Sequence, residues 1–277
     1  MKKFYLMMAL VLCALTANAG ELYIFGGFNG WNIKGTLPFT ENADGYTTTV
    51  SVTTDLYFAI STRYSTDGDW NWVNGERYGT GTNAEKLQEG QTYSISNKGD
   101  VTMQFPSEGA WKVTVSKDLK TIKISYPDVL YMVGPDGAWD PGNPIELNKV
   151  ENEKAIYESK INFKGTGFKL SARKGDWDND FNAFAINVGE NIVLGEEKAF
   201  TYGWGVDNSI AEVGTYYVIV NLIDKSFLLS DTSTAIESVE AASAAVEYYN
   251  LQGVKVANPE KGIFIKKAGN KTTKVIL

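Results

Sequence analysis

Short stretches of alternating apolar and polar residues recur along the chain, separated by clusters of Gly, Asn and Asp. The earlier ones are Leu22–Phe25, Tyr46–Val52, Tyr57–Thr62, Lys112–Val115 and Thr121–Ser125. The later ones are Leu130–Val133, Ile156–Ile161, Phe168–Ala172, Tyr216–Val220 and Ser226–Leu229. Period-two alternation rich in Val, Ile, Thr and Tyr, bounded by turn residues, predicts half-buried strands. Ser116–Lys120 is a short polar loop between two such strands, which predicts a hairpin, and Lys225 and its neighbours close a matching one. No segment carries a long 3.6-residue apolar period. The expected fold class is all-β.

The pattern occurs twice. Leu22-Tyr23-Ile24-Phe25-Gly26 followed by Trp31-Asn32 returns as Leu130-Tyr131-Met132-Val133-Gly134 followed by Trp139-Asp140, a spacing of 108 residues (130 − 22 and 139 − 31). Phe58–Arg63 returns as Phe168–Arg173, Gly68-Asp69-Trp70 as Gly175-Asp176-Trp177, and Gly109–Val115 as Gly214–Val220. A repeat of about 105 residues has the size of an autonomous domain rather than a solenoid unit. Seven or so short strands per copy predict two tandem immunoglobulin-like β-sandwiches, with a barrel as the alternative. The expected organisation is a leader at 1–19, sandwiches at 20–127 and 128–232, a linker at 233–246 rich in Ala, Ser and Glu, and a small C-terminal β module at 247–277. That module is too short to bury much core of its own.

The first 19 residues read as a secretory signal peptide: Lys2 and Lys3, an apolar run from Phe4 to Leu15, then Ala17-Asn18-Ala19. Cleavage there removes two lysines and no acid, so the formal charge moves from −7 to −9. An acidic chain without a basic cluster is a poor partner for nucleic acid. The single cysteine, Cys13, lies inside the leader; the alternative, a lipid-bearing cysteine, fits poorly with Leu12 before it. With no histidine at all, the commonest general base and the usual nucleophile pairs are excluded. No cofactor and no metal are expected.

Candidate chemistry lies in the aromatics: seven Trp, 15 Tyr and 13 Phe. The negative face of an aromatic ring suits the axial C–H groups of a pyranose, and neutral ligands need no counter-charge. Trp31 and Trp139 read as turn tryptophans capping the core. Trp70 and Trp72, and in the second copy Trp177, sit in strongly polar stretches that predict loops, where exposed functional residues concentrate. Arg63 and Arg173 end the preceding strand in each copy, either to donate to sugar hydroxyls or to pair with Asp69 and Asp176. Asp176, Asp178 and Asp180 resemble the start of a calcium loop, but Phe181 stands where an EF-hand needs Gly and Asn187 where it needs Glu. A solvated acidic loop is the better reading. Paired carboxylates in loops of a small sandwich make a poor glycosidase, and no enzyme activity is expected.

Tandem sandwiches that open with Leu-Tyr-x-x-Gly and a following Trp resemble the starch-binding outer-membrane proteins of the Sus (starch utilization system) type, SusE/SusF-like. The resemblance covers Glu21 to about Ser230. It implies one α-glucan site per unit, built of aromatics with Arg or Lys: Trp70, Trp72 and Arg63 in one, Trp177, Arg173 and Lys169 in the other. It also implies a polysaccharide or oligosaccharide ligand, a place at the outer membrane or cell surface, and contact with an outer-membrane glycan-uptake complex; the chain itself is expected to be monomeric. The family's anchoring cysteine and N-terminal immunoglobulin-like domain have no counterparts. The segment Tyr248 to Leu277, with Tyr249-Asn250-Leu251-Gln252-Gly253 and Lys261-Gly262-Ile263-Phe264-Ile265, resembles a type 9 secretion sorting domain. The rival to glycan binding is a structural or interaction module with its tryptophans in the core.

Overall fold

The computed structural model describes residues 22–63, 65, 67–70, 73, 76–98, 101–234, 247–250, 252–256, 262–268 and 271–276. The leader with Cys13, Trp72 and residues 235–246 of the expected linker lie outside the described residues. The chain divides into two compact units, the first ending at Thr232 and the second starting at Ser233. Almost all regular structure is β.

The first copy of the repeat supplies β1 (Tyr23–Gly26), β2 (Leu37–Pro38), β3 (Thr40–Asn42), β4 (Gly45–Val52), β5 (Tyr57–Ser61), β6 (Arg77–Tyr78), β7 (Glu85–Lys86), β8 (Thr92–Ser94), β9 (Met103–Gln104), β10 (Gly109–Val115) and β11 (Thr121–Ser125). They form two facing sheets, β2-β1-β5-β9-β7 with β6 also on β5, and β3-β4-β10-β11-β8. Alternation decides which side chains meet. Ile24 lies opposite Ile60 and both enter the core between the sheets, where Val50, Trp111, Val113 and Ile122 meet them. Phe25 lies opposite Ala59, and both point away from that core into a smaller cluster with Ile33, Val73 and Trp31.

The second copy supplies β12 (Val129–Val133), β13 (Ile145–Lys149), β14 (Ile156–Phe163), β15 (Gly167–Ser171), β16 (Ala185–Asn187), β17 (Lys198–Ala199), β18 (Thr201–Gly203), β19 (Asn208–Ser209), β20 (Gly214–Asn221) and β21 (Ser226–Ser230). Here the two layers are one continuous sheet, β17-β21-β20-β14-β13-β12-β15-β16-β18, with β19 on β15. The bend is β13, which pairs with β12 on one side and, at Asn148 and Lys149, with β14 on the other. In the first copy the same stretch is broken into β2 and β3. Pro38 has no N–H to offer a ladder, and buried Phe39 sits at the break, its amide donating to Leu22 O at 2.9 Å. The predicted hairpins form in register, Val115 opposite Ile122 and Val220 opposite Phe227. Leu119 and Lys225 take matching left-handed conformations in their loops (φ 54° and 52°).

The second unit is a four-stranded antiparallel sheet built from β22 (Glu247–Tyr249), β23 (Lys255–Val256), β24 (Ile263–Ala268) and β25 (Lys271–Ile276), in the order β23-β22-β24-β25. None of the side chains described in it is fully buried. A short sheet of this kind has little core with which to stand alone.

Candidate functional site

The outer face of the first sandwich carries an aromatic cluster. Phe25, projecting from β1 away from the main core, receives two tryptophans edge-on: Trp31 at 6.1 Å between ring centroids and 73°, Trp70 at 5.6 Å and 71°. Trp31 follows a single 3₁₀ turn, Gly27–Asn29, and takes a left-handed backbone conformation (φ 58°). Its indole N–H donates to Asp55 Oδ2 at 2.9 Å, so it is half-buried and fixed. Trp70 is 37% exposed. The loop beneath it is braced by Asp67, which accepts from the Asp69 amide and the Ser65 hydroxyl; these hydrogen bonds hold its carboxyl below the usual range. Arg63 stands nearby in sequence at the end of β5, its side chain 48% exposed, with Glu76 at 3.8 Å. Lys34 lies against Gly68 of the same loop.

The second sandwich exposes more aromatic surface than sequence reading assigned to it. The ring of Trp139 lies over the backbone of Gly134 and Gly167; a Cβ on Gly134 would come within 2.8 Å of the ring. The other ring face is open, and Trp139 is 44% exposed. Trp204, at 60%, is the most exposed tryptophan among the described residues. One strand carries both. Gly167 lies under Trp139, and Lys169, two residues along the same face of β15, donates to Gly205 O beside Trp204 at 3.0 Å and pairs with Asp207 at 3.2 Å. Asn187 completes the patch by donating to Trp204 O at 3.0 Å and accepting from the Val206 amide at 3.1 Å. The Lys169 side chain is only 14% exposed, so it positions the Trp204 loop. Trp204 escaped the sequence reading although Gly203 and Gly205 flank it; an aromatic between glycines after a strand is the signal that would have found it.

Arg173 and Trp177 lie elsewhere. The polar stretch after β15 folds into a five-residue π turn, Trp177–Phe181, capped by Asp176, whose carboxylate accepts from the amides of Asp178 and Asn179. Trp177 is half-buried against Phe181 at 5.7 Å. Arg173 bridges to the other sandwich. Its Nη1 donates to Thr48 Oγ1 and Thr49 O, both at 2.9 Å, while Nε and Nη2 donate to Asp180 Oδ1. Its guanidinium lies 5.2 Å from the ring of Phe184, which belongs to the core cluster of the first sandwich. Thr48 begins the part of β4 beyond the reach of β3, which pairs only with Gly45–Thr47. Arg173 thus satisfies a carbonyl on an otherwise open strand edge. Asp176 and Asp180 are occupied by these contacts, and among the described residues no group of three or more acidic side chains is placed to hold a metal ion.

Comparison with known proteins adds a match to the first sandwich. Residues 17–126 match the model described as "SusF, first starch specific CBM". That span holds the first sandwich and, within it, Trp31, Arg63 and Trp70. The solved structure of SusF from Bacteroides thetaiotaomicron is similar at 16% identity and a TM-score of 0.33, covering 90% of this chain and 57% of that one. The chain therefore spans a little over half the length of that protein. No curated protein matches.

Proposed function

We propose that the chain is a non-catalytic polysaccharide-binding protein whose ligand is starch or a related α-glucan, held at the bacterial cell surface. The observation that carries the reading is the family match over residues 17–126, a span in which an exposed tryptophan stands on a rigid aromatic base. A helical glucan is curved. Trp31 and Trp70 both butt edge-on against Phe25, so the ring open to solvent is held at a fixed tilt without a further entropic cost on binding. Arg63 and Lys34 would donate to sugar hydroxyls at the rim, and Trp72 follows Trp70 two residues along the sequence. In the second sandwich Trp139 and Trp204 are the better-placed rings, with Lys169 holding the Trp204 loop. Two weak sites in one compact unit would gain avidity on a polymer that each could not achieve alone.

Affinity electrophoresis in gels containing starch or glycogen tests this. Retardation is expected, and Trp70→Ala should reduce it with the fold intact. Mobility unaffected by polysaccharide would leave the structural-module reading standing instead. The leader and the Tyr249–Gly253 motif support delivery to the surface, with residues 247–277 as a sorting segment. Truncating residues 247–277 alone should leave glucan binding intact and move the protein from the cell surface into the periplasm.

A further inference from the structure

The contact between the two sandwiches leaves open clefts on both sides of the Arg173 bridge. One, of about 340 Å³, is walled by Thr40, Asn42, Thr47 and Thr49 of β3 and β4 and closed by Lys112, Asp128 and Lys174. The other, of about 530 Å³, lies between Asn29, Asn32 and Asn179. Pro38 and Arg173 line both, so the two are neighbours along one seam. Both volumes fall in the range of small-ligand pockets.

The lining selects a ligand class. Each cation along the smaller cleft already has a carboxylate: Lys112 with Asp128 at 2.6 Å, Arg173 with Asp180 at 2.8 Å, Lys174 with Glu146 at 3.4 Å. An anion would have to displace one of them. An apolar ligand would desolvate a row of hydroxyls without replacing their hydrogen bonds. Three rings line the two clefts: Tyr131 has Lys174 Nζ over it at 5.5 Å, Phe184 is 2% exposed under the Arg173 guanidinium, and Phe28 packs against Phe184, so the polar groups dominate what a ligand meets. What remains is a neutral, hydroxyl-rich molecule that meets alternating donors and acceptors edge-on.

We propose that this seam is a third carbohydrate-binding surface, which takes a short run or an end of a neutral glycan through Thr40, Thr47, Thr49 and Asn42 without an aromatic platform. The choice of glycan rests on the α-glucan reading above. Its binding would also clamp the two sandwiches together, since the walls come from different copies of the repeat.

The test is titration of the full ¹⁵N-labelled chain with maltoheptaose. Expected is saccharide-dependent movement of the Thr40, Thr47 and Thr49 amides together with the indole signals of Trp70, Trp139 and Trp204. Thr49→Val, and separately Thr40→Val, should remove the seam response and leave the indole response unchanged. Indole signals that move while the seam amides stay still at saturation would overturn the seam site and leave the aromatic faces standing. Seam amides that move with silent indoles would support the seam and sink the aromatic faces. Silence at both would overturn both.

Discussion

Phe184 belongs to the second sandwich by sequence and to the core of the first by position, so truncating it asks whether the two copies fold as one body. The side chain is 2% exposed, lies 6.3 Å from Phe28 of the first sandwich, and receives the Arg173 guanidinium over its face. Loss of a fully buried Phe removes about 1.5–3 kcal/mol of transfer free energy, and the cavity raises Phe→Ala to about 3–5 kcal/mol. The site lies beside open clefts that can relax and rehydrate, so the low end applies, about 3 kcal/mol. For a body of this size each kcal/mol shifts the midpoint by about 2–4 °C, giving a drop of roughly 6–12 °C. The assay is calorimetric unfolding of Phe184→Ala, followed in parallel by the near-ultraviolet dichroism of Trp111, which sits in the first core stacked on Tyr126 at 4.9 Å. The expected result is one cooperative transition, lowered for both readouts. A wild type that melts in two steps, or a variant whose Trp111 signal melts as in the wild type, would refute the coupling.

Arg173→Ala strands Asp180 and the Thr49 carbonyl and is expected to cost about 3 kcal/mol, of which Asp180→Asn in the same chain should recover part, read by denaturant midpoints. Trp70→Ala should abolish most of the retardation in starch gels while changing stability by about 1 kcal/mol or less, since the ring is already 37% exposed and meets Phe25 edge-on. Trp139→Ala and Trp204→Ala should each weaken glycogen retardation, and Trp177→Ala should lower the melting temperature more than it lowers binding. The Asp176 carboxyl, normally 3.8, is held down chiefly by the Asn179 amide and side chain. A lowered folded-state pKa means the capped turn is intact above the ordinary carboxylate range and loses its support as pH falls through the lowered value. With no histidine in the chain, melting temperatures should be flat from about pH 8 to about pH 5 and fall only below about pH 4.

Strands were legible because alternation records which face is buried, and it did so at Ile24 against Phe25 as at Ile60 against Ala59. The leading tryptophan of each copy was legible as a position but not as an exposure. Trp31 and Trp139 occupy equivalent places, yet Phe25 holds the first edge-on while the second lies on two glycines with a face to solvent. The loops were harder still. Arg63 and Arg173 end equivalent strands, and each has its amide bonded to the serine two residues before. Arg173 goes on to reach the edge of the other sandwich, while Arg63 stands beside Glu76 of its own. Polarity in a sequence does not distinguish a loop that faces water from one whose polar groups are spent on a neighbouring copy.

The uncovered edge of β4 also gives the pair a direction. Each copy leaves one edge of the same strand unpaired beyond its third residue, in the second copy the β13 side of Ser159–Phe163 in β14. Cross-strand register places Lys160 and Asn162 there where the first copy has Thr49 and Ser51. The first edge offers a carbonyl and a hydroxyl that its successor takes up; the second carries a lysine, the residue that keeps exposed edges from recruiting further strands. Within the pair, the receptive edge faces the neighbouring copy and the lysine-bearing edge does not. Exchanging the copies would put the protected edge inside the molecule and the receptive one outside, turning a closed pair into a surface that invites association.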